Sequence, residues 1–265
     1  MKIAVISDIH EDLISLKKAF KQIEIEKCDQ IICLGDILGY PFLRAKYENT
    51  RNASECIRLI KNNCSLVLLG NHEMFHLKKI PKYHSGFVFP NNWYDLTAEE
   101  KRHISKNKVW NYADDYLVTL NEYDIEYLSA LSEFSFQTVG SIKILFSHFI
   151  YPNFSGYVSN YIGNRIKLKE HFNYIKSNQC LYSICGHMHV EGIGLSYDPA
   201  NHFLSRLFTG FMYYNFGKIR LKNKHCSITL PALADNSQVN GFAILDTDNL
   251  TINAISLNLN RRFNL

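Results

Sequence analysis

Five times along this 265-residue chain a short apolar run stops abruptly at the same kind of polar tip. Lys2–Ser7 gives way to Asp8-Ile9-His10, Asp29–Leu34 to Gly35-Asp36, and Ser65–Leu69 to Gly70-Asn71-His72-Glu73. Later, Ile142–Ser147 runs into His148, and the stretch 181–185 runs into Gly186-His187-Met188-His189. Short β-branched runs bounded by polar residues read as buried strands. Two amphipathic segments separate the first three. One carries Leu13, Leu16, Phe20 and Ile23 at helical spacing with Lys17, Lys18 and Lys21 facing away, and the other spans 53–63. The order β-α-β-α-β demands a parallel sheet with right-handed crossovers. In an open α/β sheet the carboxyl ends of parallel strands share one edge, where ligands bind. The five tips are therefore expected to meet at one rim.

The remainder of the chain reads differently. Residues 76–133 are rich in Lys, Tyr, Trp and Asn and hold two S/T-x-x-E boxes, Thr97…Glu100 and Thr119…Glu122, which predict helix starts. We read a helical insert of two or three helices beside the sheet. Its aromatic residues serve either as ordinary core or as a lid that stacks substrate. A hairpin of 134–139 and 142–147 follows around Gly140-Ser141, then a helix over about 166–177. Short strands are expected at 181–185, 192–197, 203–208, 227–230, 242–246 and 250–257. With no repeat, low-complexity tract or linker, the whole of 1–265 reads as one domain.

Seven cysteines without a CxxC pair argue against structural zinc and for free thiols in a reducing compartment. The opening apolar stretch is too short for a signal-peptide core, and no run approaches the ~20 apolar residues of a membrane span. A cytoplasmic protein with no membrane partner is the expectation. The net charge of +4 is spread along the chain, with no stripe that would mark a duplex nucleic-acid surface.

The residue types at the tips suit a particular task. Imidazoles and carboxylates together favour borderline transition metals such as Mn, Fe or Zn over Ca or Mg. Two such ions roughly 3.5–4 Å apart can grip a phosphate and activate a water. A carboxylate is the natural bridge between them, and Asp36, from the middle strand, is the candidate. The glycines at 35, 70 and 186 are expected to permit the close turns that bring the next side chains inward.

In order and rough spacing these tips resemble the motifs of the calcineurin-like metallophosphoesterases: D-x-H, G-D-x-x-G, G-N-H-[DE], a strand-end His and G-H-x-H. The motifs span residues 8 to 189. The resemblance implies an α/β fold, a four-layer αββα sandwich, and two divalent transition-metal ions. One would be held by Asp8, His10, Asp36 and His189, the other by Asp36, Asn71, His148 and His187. It implies His72 as the catalytic group that protonates the leaving oxygen or stabilises its charge. Glu73 either orients His72 or caps a turn. The segment Cys33–Tyr40 and the late Gly241–Thr247 look most like the small bacterial phosphodiesterase-type branch. Glu11 departs from that branch's usual Gly, and Glu73 from its Asp. Gly39-Tyr40-Pro41 stands where the Ser/Thr phosphatase branch has Asp-Arg-Gly. The implied activity is hydrolysis of a phosphodiester or phosphomonoester, with a small phosphate ester or nucleotide as substrate. A silent protein-binding scaffold would have lost ligands, and a nuclease for nucleic-acid ends usually brings further domains, so both are lesser expectations. His84, His103, His171, His202 and His225 lack motif context and are assigned to the surface.

Overall fold

The computed structural model describes residues 1–40, 47–110, 112, 115–158, 165–198 (side chains from 168), 210–236 and 238–257. Strand β1 (Lys2–Ile6) leads into α1 (Leu13–Ile25), β2 (Gln30–Cys33), α2 (Ala53–Asn63) and the brief β3 (Leu66–Val67). α1 starts where the Asp12 carboxylate accepts from Ser15 N at 3.0 Å, and α2 where Asn52 accepts from Glu55 N at 2.9 Å. β1 pairs parallel with β2, and β2 with β3, as the β-α-β-α-β order requires. The sheet is then completed by C-terminal strands, β11 (Gly241–Asp246), β12 (Thr251–Ser256) and β9 (Gly217–Arg220), in the order β3-β2-β1-β11-β12-β9. β11 runs antiparallel to β1.

A second six-stranded sheet has the order β4-β5-β6-β10-β7-β8. Its members are β4 (Phe134–Val139), β5 (Ile142–Ser147), β6 (Tyr182–Cys185), β7 (Ile193–Tyr197), β8 (Met212–Tyr214) and β10 (Cys226–Thr229). The five tips therefore come from two sheets, three from the first and two from the second. β8 and β9 have no counterpart in the sequence reading, and the strand expected at 203–208 lies outside the described residues.

Side-chain alternation explains the layering. Ile3 and Val5 of β1 meet Ile144 and Phe146 of β5 and Ile184 of β6 in a core between the sheets. Ala4 and Ile6 point the other way, onto Leu16, Ala19 and Ile23 of α1 and Ile57 and Ile60 of α2. On the far side, Leu145 and Cys185 pack against Leu168, Phe172 and Ile175 of α6 (Arg165–Ser177). Helix, sheet, sheet and helix thus form four layers. Among the described residues no helix is long and apolar enough to cross a membrane. All seven cysteines are unpaired.

The insert contains α4 (Ala98–Ser105) and α5 (Glu122–Ser129), preceded by α3 (Asn71–His76) at the third tip. Thr97 caps α4 in a reciprocal box with Glu100. The expected box at Thr119 does not form: Asn121 caps α5 instead, accepting from Asp124 N at 2.8 Å. Asn121, one position before the helix, supplies the capping oxygen itself, so the helix starts two residues later than a Thr119 cap would set it. The long connections are held by an aromatic cluster that includes Trp93, Tyr112, Tyr157 and Phe75.

Candidate metal centre

The ends of β1, β2, β3, β5 and β6 bring Asp8, His10, Asp36, Asn71, His148, His187 and His189 together. Several of these positions fold back sharply. Asp8 (φ 56°), His10 (φ 46°), Asp36 (φ 52°), His187 (φ 66°) and His189 (φ 48°) are all left-handed. Such backbone is costly for residues with a Cβ and persists where surrounding contacts over-determine it. Those contacts are present: Asp8 N donates to Gly35 O at 3.1 Å, His10 N to Asp36 O at 2.9 Å, and Gly186 N to His148 O at 3.0 Å. The two sheets are tied at the same place by His187 N, which donates to Asp8 Oδ2 at 3.0 Å. The glycines act differently from the expectation. Only Gly35 of the three has positive φ (101°); Gly70 and Gly186 are needed because a Cβ would strike the carboxylates of Asp36 and Asp8. The ligand-bearing residues take the turns themselves.

Three overlapping groups have ligand atoms within 4.8 Å of one another: Asp8 with His10 and His189, Asp36 with His148 and His187, and His10 with Asp36 and His72. In the first, His189 Nε2 lies 3.2 Å from both Asp8 Oδ1 and His10 Nε2. In the second, His148 Nε2 lies 3.1 Å from Asp36 Oδ2, 3.1 Å from Asn71 Oδ1 and 3.2 Å from His187 Nδ1. Asp36 stands between them, its Oδ2 also 3.9 Å from His10 Nε2.

The donor set fits divalent cations. Nδ1 of His10 lies 2.8 Å from Gly39 O, and Nδ1 of His148 lies 3.1 Å from Leu34 O. A carbonyl only accepts, so each Nδ1 carries the proton and each Nε2 is left to bind a proton or a metal. Charge points the same way. Burial alone would push the carboxyls of Asp8 and Asp36 up, but the facing imidazoles outweigh it and hold both well below the usual range. Burial likewise opposes charge on His148 and His72, yet Asp36 with Asp8, and Asp36 with Asp115, raise them to about 9 each. Burial, aided by His72, lowers His10 to about 4; burial, aided by His148, lowers His187 to about 3. Two buried carboxylates thus demand positive charge at this spot, which protons supply when cations do not.

His72 lies at the edge of the group, its Nε2 4.0 Å from Asp36 Oδ2. Its Nδ1 is 2.5 Å from Asp115 Oδ2, a partner contributed by the insert. No motif marks Asp115, which is 43 residues away in the chain, and spacing gave no signal for it. The hydrogen bonds of Glu73 run to the backbone and close the capping box of α3, the turn-capping alternative. The Glu73 carboxylate accepts from the backbone N–H of Asp36 (2.8 Å), Ile37 (2.7 Å), Leu38 (2.9 Å) and Gly70 (2.8 Å), binding the second tip to the third. Glu11 is left-handed (φ 64°), which accounts for the branch's usual Gly there. It is held by Gly39 N at 3.2 Å and Arg51 Nη1 at 2.8 Å. His171, expected at the surface, is fully buried beneath α6, with Nε2 2.7 Å from Ser183 Oγ and Nδ1 accepting from Tyr151 N. Its helix turns that face to the sheet. His202 lies outside the described residues.

A family model for calcineurin-like phosphoesterases matches residues 1–191. The uncharacterized protein MJ0912 of Methanocaldococcus jannaschii is 25% identical over 169 residues, 60% of this chain and 58% of that relative's length. The crystal structure of a metallophosphoesterase from Sphaerobacter thermophilus has a TM-score of 0.63 at 17% identity, covering 97% of this chain and 89% of that one. The hypothetical protein PH1004 from Pyrococcus horikoshii OT3 gives 0.57 at 14% identity, covering 98% and 89%. At these identities the two structures speak to the fold.

Proposed function

The chain belongs to the calcineurin-like phosphoesterase family, and from that premise we propose that it hydrolyses a phosphodiester or phosphomonoester at a dinuclear metal centre. The family's chemistry is metal-dependent phosphoester hydrolysis. The observation that carries the reading is Asp36, whose Oδ2 lies toward His148 on one side and His10 on the other. On this reading Asp8, His10, Asp36 and His189 hold one ion and Asp36, Asn71, His148 and His187 the other. When bound, two divalent transition ions (Mn, Fe or Zn) neutralise phosphate charge and make a water nucleophilic at neutral pH. The chain supplies the rest. Backbone carbonyls fix the tautomers of His10 and His148. Asp115 holds His72 Nδ1, so that its Nε2 faces the ligand cluster and can give a proton to the departing oxygen. Asp115 is thus a positioning residue for His72. Residues 1–265 act as one domain on this reading, since the centre draws on both sheets. The presence of every expected ligand together with His72 favours catalysis over a silent scaffold.

The test is chelation followed by Mn add-back, with bis-p-nitrophenyl phosphate and p-nitrophenyl phosphate as substrates. Metal-restored hydrolysis of at least one is the expected result. Hydrolysis of neither by protein shown to hold metal would overturn the proposal.

A further inference from the structure

The imidazoles that present Nε2 to the ligand groups are braced differently behind the ring. Nδ1 of His10 and Nδ1 of His148 each face a backbone carbonyl, which leaves Nε2 open for an ion. Nδ1 of His189 instead lies 3.0 Å from Nδ2 of Asn236. The amide cannot be turned end for end, because Oδ1 of Asn236 accepts from Gln238 N at 2.9 Å. A backbone N–H only donates, so Oδ1 belongs there and Nδ2 belongs at His189. An amide nitrogen also only donates. Nδ1 of His189 is therefore an acceptor, and the proton of the neutral ring sits on Nε2, with Asp8 Oδ1 3.2 Å away to take it.

Asn236 is not a loose surface amide. It is buried in the connection between β10 and β11, and that connection is fastened to the first tip. Leu233 N donates to Ser7 O at 2.9 Å, Ala234 N to Asp8 O at 3.0 Å and Asp235 N to Asp12 Oδ2 at 2.8 Å. The strand end that carries Asp8 thus also delivers this amide to His189. The family match stops at residue 191, so Asn236 comes from outside it.

For His189 Nε2 to hold an ion, its proton must move to Nδ1. Nδ1–H would then face Nδ2 of Asn236, donor against donor. The conflict is relieved when the amide turns over. That brings Oδ1 to His189 but sets Nδ2 against Gln238 N, so a main-chain hydrogen bond is given up. No such exchange is required behind His10 or His148.

We propose that Asn236 makes the ion held with His189 the weaker and exchangeable one of the pair, so that the centre fills in two separated steps. The inference rests on the dinuclear reading and adds a control to it. The centre is complete only where the free ion is abundant enough to take the second step.

Chelated full-length protein is titrated with Mn, without substrate, and free Mn is followed by its electron paramagnetic resonance. We expect two dissociation constants at least on the order of tenfold apart, the scale set by groups that orient a metal-binding histidine. Asn236→Asp carries an acceptor on both sides, one oxygen for Gln238 N and one for Nδ1–H of His189. It should tighten the weaker step on the order of tenfold and the tighter step far less. Long-range proton–nitrogen NMR of the metal-free wild type should place the His189 ring proton on Nε2. Two equal steps in the wild type overturn the inference, as does a substitution that shifts both steps alike or neither. A ring proton on Nδ1 of metal-free His189 overturns it without any variant. Saturation at one ion overturns the dinuclear reading and the inference with it. Two unequal, Asn236-dependent ions in protein that hydrolyses no ester overturn the hydrolase reading alone.

Discussion

The rim of strand ends and the insert over 76–133 are built on opposite principles. At the rim the backbone decides: left-handed turns occur at Asp8, His10, Asp36, His187 and His189, those at Asp8, His10 and Asp36 are pinned by main-chain hydrogen bonds and that at His187 by the Asp8 carboxylate, and Glu73 ties two tips together through four N–H groups. In the insert, ring packing decides. Phe87, Phe89, Trp93, Tyr112 and Tyr157 meet edge to face or tilted across long irregular connections. A backbone-determined site tolerates little change, because each ligand's direction follows from φ and ψ. A site determined by rings can exchange its lining without moving the frame. On the reading proposed above, the rim fixes the reaction and the insert adjusts it, through Asp115 on His72.

The hardest blow to the rim is Asp36→Asn. Removing the charge shared by both ligand groups should cost metal in each, and kcat/KM should fall on the order of a thousandfold or more, as when a principal electrostatic element of a site is lost. Metal analysis alongside kinetics checks it; full stoichiometry with a near-wild-type rate would refute the bridging role. Next come two substitutions that separate rim from insert. His72→Ala should keep its metal and lose on the order of a hundredfold in kcat with alkyl leaving groups, and less with p-nitrophenolate, which needs little protonation. Asp115→Asn should reproduce that leaving-group pattern at about tenfold, the cost of removing a residue that only orients another. If Asp115→Asn slows both classes of ester equally, the insert does not act through His72.

The same contrast explains what was legible in the sequence. Strand ends with their Asp, His and Asn tips were readable because periodicity locates strands and parallel topology aligns their ends. Thr97 was readable for a similar reason: a cap needs only its local partner, Glu100. Asp115 was not, because its partnership with His72 depends on the course of the insert, which ring packing sets. The box expected at Thr119 failed since Asn121 caps the helix two residues further on, and spacing does not rank competing caps. Left-handed backbone at the ligands was also invisible. Asp and His carry no mark of it, so the glycines beside them were assigned a turn that the ligands themselves make.

Smaller in size is a pH effect confined to the rim. Without metal, positive charge at the centre is carried by protons on His148 and His72, both raised to about 9. A raised folded-state pKa contributes stability that is fully present below the unfolded value of ~6.5 and is lost as pH climbs through the folded one. His10 and His187, lowered to about 4 and about 3, act in the opposite sense, but their window lies below pH ~6.5. Tm of chelated protein should therefore decline from neutral pH toward 9, while metal-saturated protein, whose charge no longer depends on these protons, holds steady. Parallel melting curves for the two forms would mean that the imidazoles do not carry the balancing charge.

The smallest effect probes the insert alone. Thr97 Oγ1 accepts from Glu100 N at 3.2 Å, and Glu100 Oε2 accepts from Thr97 N at 2.7 Å, so Thr97→Ala removes half of a reciprocal cap. Such a loss costs about 1 kcal/mol. Because α4 rests on the aromatic rings of Trp93 and Tyr94 through Lys101, the cost should appear as faster amide exchange in Ala98–Ser105, with metal content and p-nitrophenyl phosphate turnover unchanged. A backbone-coupled insert would behave otherwise: loosening α4 would disturb the left-handed turns and lower metal occupancy. Metal loss in this variant would therefore show that the two regions share one mechanical frame, and that the division between a fixed rim and an adjustable insert is false.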